Sequence, residues 1–238
     1  MTVITPAHAG EQAATKYPIV FVHGIFGFND IWGIDYFYGV PQALRDEGAS
    51  VYIASLSPAN STEFRGEQLR TYIQAVLVDS GAEKVNIIGH SHGGPTARYV
   101  ASVSPEMIAS VTSVGGVNWG TKFADVMRGA VKVDSVTESL VKKGMDTLAH
   151  VITGVSEGET LPEDSLLMTE SLTTAGSLLF NQTYPEGMPV SYCGTADLVG
   201  TNGVYYYSWS GAKPFTHVSD PVDYAFELTS LVFDENND

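Results

Sequence analysis

The chain has 238 residues, of which 44% are hydrophobic and 11% aromatic, and it carries a formal net charge of −15. This length and composition are typical of one folded domain with a substantial core, and they exclude a chain that is disordered throughout. The negative charge disfavours binding to nucleic acids and to anionic lipid headgroups, so any contact with lipid must be made by apolar surface. No apolar run approaches the roughly 20 residues of a membrane-spanning helix, and we expect no such helix.

The first third of the chain predicts two strands and one helix. The apolar run Ile19–Val22 predicts a strand that ends at His23-Gly24, and residues 50–54 predict a second strand. The segment 24–39, rich in glycine and aromatic residues, predicts an irregular loop between them. Apolar residues at i, i+4, i+7 and i+8 predict an amphipathic helix over residues 65–80.

The middle of the chain predicts a strand, a sharp turn and a helix in direct succession. Residues 85–88 form an apolar strand, the pentapeptide Gly-His-Ser-His-Gly follows at residues 89–93, and a helical pattern opens at Gly94-Pro95. A further strand is predicted at residues 110–114. Because alternating strands and helices are typical of a mostly parallel sheet, we predict an α/β fold with helices on both faces of the central sheet.

The remainder of the chain predicts another amphipathic stretch and two late strands. Apolar residues within 136–152 have helical spacing, which is typical either of a packed surface helix or of a movable lid over an apolar site. The candidate lid region is 121–165. Strands are predicted at 189–192 and 204–207. We find no internal repeat and no second domain boundary, so residues 1–238 are predicted to form one domain.

The pentapeptide at residues 89–93 matches the pattern Gly-x-Ser-x-Gly, in which a serine stands on a tight turn between a strand and a helix. Such a turn exposes the hydroxyl to a general base and to backbone N–H groups that stabilise an oxyanion. Glycines flank the serine because side chains there would collide with the strand or the helix. We predict that Ser91 is a nucleophile; the alternative is a serine in an ordinary glycine-rich turn. A second match at residues 154–158 lacks the preceding strand and the following helix, so we interpret it as a loop.

Two backbone amides are candidates for an oxyanion hole beside Ser91. One N–H is expected from the residue after the nucleophile and the other from the loop after an earlier strand, and His92 and Ile25 occupy these positions. A catalytic imidazole is expected last in the chain order Ser, then Asp or Glu, then His. His23, His90 and His92 therefore do not suit the role of the base.

The N-terminal segment and the single cysteine bear on the cellular compartment. Residues 5–10 are similar to the cleavage region of a secretory signal, although a plain N-terminal tail is the alternative. We expect the protein to be exported. Cys193, the single cysteine, is predicted to be either a small buried residue or one half of a disulfide whose partner lies elsewhere.

Four segments resemble a known family. They are residues 21–28 (Phe-Val-His-Gly-Ile-Phe-Gly-Phe), 65–69 (Arg-Gly-Glu-Gln-Leu), 85–100 around Ser91, and 206–211 (Tyr-Tyr-Ser-Trp-Ser-Gly). Together they resemble the true lipases of the Pseudomonas and Proteus type. The resemblance implies an α/β-hydrolase fold, secreted triacylglycerol hydrolysis, a helical lid and a structural calcium ion (Ca2+). Many members of that family have a dedicated foldase, so the resemblance also implies such a partner.

The resemblance also implies roles for individual residues. By position, Ser91 is the nucleophile, Ile25 and His92 supply the oxyanion amides, and Asp220 is similar to a calcium ligand. Asp238 falls where the family has the acid of its catalytic triad. From the residues alone, Asp238 belongs to a solvated cluster of terminal charges.

The family's catalytic histidine and further calcium ligands follow the position of Asp238, so we expect the chain to be a fragment that lacks them. Asp220 alone cannot hold calcium, which takes about six to eight oxygen ligands. His217 precedes Asp238 and stands beside the candidate calcium loop, which favours a structural role for it.

Three hypotheses for function follow from the sequence. The first is a secreted lipase that hydrolyses long-chain acylglycerols through an acyl-enzyme on Ser91, and that is inactive if its triad histidine is missing. The second is a carboxylesterase without a lid that acts on soluble short-chain esters. The third is a catalytically silent protein with a hydrolase fold that binds only lipid or its foldase.

Overall fold

A parallel sheet forms the centre of the structure. The computed structural model describes residues 12–25, 36–129, 163–211 and 213. The strands of the described chain are β1 Ile19–Val22, β2 Val51–Ala54, β3 Val85–His90, β4 Ile108–Val114 and β5 Tyr205–Trp209. They form one sheet in the order β2-β1-β3-β4-β5, and every pair of neighbours is parallel.

Helices connect the strands and cover the sheet. In the described ranges they are α1 Val40–Asp46, α2 Thr62–Ser80, α3 Gly93–Val103, α4 Lys122–Met127, α5 Ser165–Leu172 and α6 Thr174–Thr183, with a 3-10 turn at Pro105–Met107. Strands and helices therefore alternate along the chain, which confirms the predicted α/β fold.

The apolar strand β1 is buried on both sides by helices. Val20 and Val22 belong to a buried cluster that includes Leu69 of α2. Ile19 and Phe21 belong to a second cluster, against which Leu44 of α1 packs. Because side chains alternate between the two faces of a sheet, a strand covered on both faces needs apolar residues at every position.

The carboxyl ends of β1 and β3 lie side by side. Val22 of β1 is in register with Gly89 of β3. Residues 23–25 and Ser91, which follow these strands, therefore start from the same edge of the sheet. This edge is where parallel α/β folds place their ligand sites.

The helix predicted at residues 65–80 is α2, which begins earlier than its apolar spacing indicated. The Ser61 side chain accepts a hydrogen bond from the Phe64 N–H at 3.2 Å and caps the first turn. The helix ends at Ser80, directly before Gly81, as predicted.

The prediction of a strand at residues 189–192 is wrong. This segment consists of bends and a turn, and the Gly194 N–H donates to the Ser191 carbonyl at 2.9 Å. Val190 is 102% exposed, so its apolar side chain does not lie in a core. Cys193 is exposed as well, which excludes the buried alternative. The strand predicted at 204–207 is confirmed as β5.

Several sequence features lie outside the described residues. These are the amphipathic stretch at 136–152 and the second Gly-x-Ser-x-Gly match at 154–158. Within the described ranges, no helix combines the length and the apolar character needed to cross a membrane. The single domain over residues 1–238 stays a prediction.

Candidate active site

Ser91 occupies the turn between β3 and α3. Its φ of +53° lies in the left-handed region, which residues with a side chain adopt only where the surrounding structure enforces it. The Ser91 N–H donates to the Val114 carbonyl at 3.0 Å, and its carbonyl accepts from the Gly94 N–H at 3.0 Å. The strand, turn and helix that the sequence predicted around Ser91 are therefore present.

Close packing excludes side chains on either side of this turn. A Cβ on Gly89 would overlap the Gly93 carbonyl, and a Cβ on Gly93 would overlap the Val22 carbonyl. The two glycines thus allow α3 to begin directly against β3 and β1.

The loop after β1 passes next to the Ser91 side chain. A Cβ on Gly24 would lie 2.8 Å from Ser91 Cβ and 3.2 Å from Ser91 Oγ. His23 Nδ1 lies 2.8 Å from the Gly24 carbonyl oxygen. The Gly24 carbonyl and the Ile25 N–H belong to one planar peptide unit and point in opposite directions. A bond that fixes this carbonyl therefore also fixes the direction of the Ile25 N–H.

The candidate reacting groups have no partner in the described part of the chain. No hydrogen bond joins Ser91 Oγ, the Ile25 N–H or the His92 N–H to another described residue. A hydroxyl and two amides of this kind are available to a ligand at the edge of the sheet.

Comparison with known proteins agrees with this geometry. Residues 17–137 match the family model described as alpha/beta hydrolase fold. A triacylglycerol lipase of Vibrio cholerae is 52% identical over 237 residues, which cover 98% of this chain and 76% of that protein. The chain belongs to the α/β hydrolase family. A triacylglycerol lipase of Pseudomonas fragi is 43% identical to this hydrolase over 201 residues, covering 84% of this chain and 68% of that protein.

Solved structures show the same fold. A lipase of Bacillus licheniformis in its mature form superposes with a TM-score of 0.59 at 18% identity, covering 91% of this chain and 73% of that chain. A likeness at this identity concerns the fold alone. The finer resemblance to the Pseudomonas and Proteus type stays a prediction.

The His92 imidazole of this hydrolase is buried and neutral. Its Nε2 lies 2.9 Å from Thr62 Oγ1, and its Nδ1 is buried without a hydrogen-bond partner among the described residues. Burial, followed by the positive charge of Arg65, lowers the pKa of His92 well below 6.5. The ring is therefore unsuited to accept a proton, as its position in the chain order predicted.

His23 is also buried and neutral. The Leu56 N–H donates to His23 Nε2 at 3.1 Å, so the ring proton stands on Nδ1, which donates to the Gly24 carbonyl. Burial, with a smaller effect of Arg65, lowers the pKa of His23 to about 4. The neutral ring is thus a fixed hydrogen-bonding group that orients the Gly24–Ile25 peptide.

A buried guanidinium lies beneath the same loop. Arg65 is 0% exposed, and it donates to the His23 carbonyl at 2.6 Å and to the Ser57 carbonyl at 2.5 Å. It forms no ion pair with a carboxylate in the described ranges, and burial lowers its pKa to about 10. Arg65 therefore links the end of β1 to the loop after β2 and places a positive charge near the site.

The Tyr36 side chain connects the loop after β1 to the end of β3. Its hydroxyl accepts the Gly24 N–H at 3.1 Å and lies 2.6 Å from His90 Nδ1. Burial raises the pKa of Tyr36 above its usual value of 10, so the phenol is neutral near pH 7.

The predicted site residues divide into two groups. Ser91 and His92 follow β3 and Ile25 follows the neighbouring β1, at the same edge of the sheet, whereas Asp220 and Asp238 lie outside the described residues. In the part of the chain that the structure describes, no group of three or more His, Cys, Asp or Glu side chains is placed to hold a metal ion. Because Asp220 lies outside these residues, the calcium site stays a prediction.

Sequence reasoning missed the polar side chains that hold the site together. Tyr36 and Thr62 were not singled out as site residues, and Arg65 entered only as the start of a predicted helix and as part of a family segment. A tyrosine in an aromatic-rich loop and a threonine at a helix start are ordinary, so no local pattern indicates their partners.

Proposed function

We propose that this hydrolase is a secreted triacylglycerol lipase that cleaves long-chain acylglycerol esters through an acyl-enzyme on Ser91. The observation that carries the proposal is the Ser91 turn, with φ of +53° and the Gly24–Ile25 peptide beside the side chain. The names of the Vibrio cholerae and Pseudomonas fragi relatives support the choice of substrate class.

The proposed reaction is acyl transfer in two halves. An imidazole takes the Ser91 hydroxyl proton while Oγ bonds to the ester carbonyl carbon. The N–H groups of Ile25 and His92 donate to the carbonyl oxygen as it becomes negative. The imidazole then gives its proton to the leaving alcohol oxygen, the ester C–O bond breaks, and the acyl group stays on Ser91. Water then loses a proton to the same imidazole and bonds to the acyl carbon, the bond from that carbon to Ser91 Oγ breaks, and the imidazole returns the proton to Oγ, which frees the fatty acid.

The imidazole of this reaction is proposed to come from outside the described residues, with Asp238 orienting it. His23 and His92 have pKa values lowered by burial, and both rings are engaged by protein groups. His90 Nδ1 faces the Tyr36 hydroxyl. None of these three rings hydrogen-bonds Ser91 Oγ within the described part of the chain.

The remaining parts of the proposal come from the family resemblance. They are export, a lid that includes residues 136–152, a structural calcium ion bound in part by Asp220, and a dedicated foldase. No step of the reaction is derived through calcium. Since the net charge is −15, binding to a lipid surface would rely on apolar contacts.

Ser91→Ala is expected to reduce turnover of emulsified triolein by the full-length protein at least about 10⁴-fold, because the nucleophile is lost. Released fatty acid is titrated at constant pH. The matched control is Ser80→Ala, which removes a hydroxyl at the C-terminal end of α2 that donates to the Val76 carbonyl at 2.7 Å and should retain wild-type turnover. Undiminished turnover by Ser91→Ala would defeat the assignment.

A substrate series separates this proposal from its two rivals. A lipase rate rises when the ester exceeds its solubility limit, whereas the rate of a short-chain carboxylesterase does not. A protein that neither hydrolyses esters nor reacts at Ser91 with a fluorophosphonate probe would be a binding protein, and the proposal would be wrong.

A further inference from the structure

The Tyr36 hydroxyl bridges the loop after β1 and the end of β3. It lies 3.1 Å from the Gly24 nitrogen and 2.6 Å from His90 Nδ1. A backbone amide can only donate, so the tyrosine oxygen accepts the first bond, whereas the direction of the second bond depends on the tautomer of His90. Because His90 directly precedes Ser91, one hydroxyl ties the nucleophile turn to the neighbouring loop.

Gly24 is held at both of its backbone polar groups. Tyr36 binds its N–H, and His23 Nδ1 binds its carbonyl at 2.8 Å. A glycine has more backbone freedom than any other residue, so these two bonds remove freedom that the sequence alone would leave. The Ile25 N–H shares a peptide plane with the Gly24 carbonyl and is oriented with it.

The surroundings of Tyr36 make its ring a rigid support. The ring packs edge-on against Phe37 with centroids 4.9 Å apart, and it is tilted against His90 at 5.6 Å and His23 at 5.9 Å. Since burial raises the pKa of the phenol, its hydroxyl stays protonated near neutral pH and serves as a hydrogen-bonding group.

We propose that Tyr36 is a positioning residue for acyl transfer, whose hydroxyl holds the Ile25 amide in the direction that the developing oxyanion requires. The proposal rests on the proposed function, because only a reaction that forms an oxyanion beside Ser91 makes this direction matter. Tyr36 acts through Gly24, at the distances given above, and not as an acid or a base.

Tyr36→Phe tests this role because it keeps the ring and its packing and removes only the hydroxyl. We expect kcat to fall about 10- to 100-fold while KM stays within about twofold, since the loss concerns the transition state. An alkylboronic acid, whose adduct with Ser91 carries a negative oxygen, should bind more weakly by a similar factor.

Tyr72→Phe is the matched control. It removes a hydroxyl of α2 that donates to the Ile53 carbonyl at 2.9 Å, and it should leave kcat and KM unchanged. An unchanged kcat in Tyr36→Phe, or an equal fall in both variants, would overturn the proposal. A raised KM with unchanged kcat would also overturn it, because Tyr36 would then be a substrate contact.

Hydrogen exchange of the Gly24 amide tests its bond to the Tyr36 hydroxyl without a measurement of turnover. In ¹⁵N-labelled protein, the Gly24 N–H should exchange about 10-fold faster in Tyr36→Phe than in the wild type or in Tyr72→Phe. Equal exchange in all three proteins would overturn the proposal. An active Ser91→Ala would defeat the proposed function, whereas an inactive Ser91→Ala beside a fully active Tyr36→Phe would defeat only this inference.

Discussion

Gly24 stands where a side chain has no room. An added Cβ would lie 2.8 Å from both Ser91 Cβ and the Tyr36 hydroxyl oxygen, so one of these groups must move. We predict that Gly24→Ala lowers kcat at least about 100-fold, with a loss of unfolding free energy of only about 1–3 kcal/mol. Steady-state kinetics and urea unfolding measure the two effects.

Gly194→Ala is the matched control for this close approach. Its Cβ would lie 2.8 Å from the Ser191 carbonyl oxygen, in the exposed turn that replaces the predicted strand. The clash is similar but lies outside the candidate site, so kcat should be retained. Equal kcat values for Gly24→Ala and the wild type would show that the loop does not approach Ser91 as described.

The residues proposed to react were predictable from local sequence, whereas the hydrogen bonds that hold them in place were not. Ser91, His92 and Ile25 follow from the strand-turn-helix pattern and from the loop after the first strong strand. The Tyr36–His90 bond joins residues 54 positions apart, and Arg65 reaches the His23 carbonyl across 42 positions. Such partners, and the pKa values that burial sets, arise only from tertiary packing.

At the scale of elements, Asp125 of α4 forms two hydrogen bonds with Thr174, the first residue of α6. It is 6% exposed, and its carboxylate accepts from the Thr174 N–H at 2.8 Å and from Thr174 Oγ1 at 2.6 Å. Asp125→Ala would remove the acceptor of both bonds, and because Thr174 is exposed, water can replace part of what is lost. We therefore expect a loss of about 1 kcal/mol in unfolding free energy. Chemical denaturation measures this loss.

Asp125→Asn provides the matched comparison for this contact. Its amide can still accept from the Thr174 N–H, and it can donate to the threonine hydroxyl. The asparagine variant should therefore lose less stability than the alanine variant. If the two variants were equally stable, the hydrogen bonds at this junction would contribute nothing measurable.

Elements with a strong apolar pattern were predicted best. Strand β1 is buried at every position, β3 and β4 mix buried with half-buried positions, and α2 has a regular helical spacing. Residues 189–192 were predicted as a strand but form bends and a turn without a partner strand in the described chain. Helices α5 and α6 were not predicted. Several of their leucines are exposed, so the apolar residues do not mark a single buried face. The caps Asp164 and Thr173 were the local signals that could have found them.

At the scale of the whole molecule, buried neutral histidines make stability depend on pH. The pKa of His23 is about 4 in the folded protein and 6.5 in its ordinary state. The unfolded chain therefore binds more protons between these values, and stability that is fully present above pH 6.5 is lost as the pH falls toward 4. His92 shifts in the same direction. His23 alone accounts for about 3 kcal/mol across this window.

Replacing His23 by Gln isolates this contribution. The slope of unfolding free energy against pH should decrease by up to about 1.4 kcal/mol per pH unit between pH 6.5 and 4. Urea unfolding at several pH values gives the slopes for the wild type and the variant. Imidazole titration by NMR provides a second test in the folded wild type, where a His23 midpoint near 6.5 would contradict the prediction.

The position of β1 between β2 and β3 has a kinetic consequence. Ile19 is in register with Asn86, and because every pair of neighbouring strands in the described sheet is parallel, a tight hairpin can form none of these pairs. The chain must bring distant segments together, with the loss of entropy that this entails, before any interstrand bond compensates for it. Assembly of this sheet is therefore intrinsically slow. Meanwhile, the most apolar strands remain open to intermolecular association.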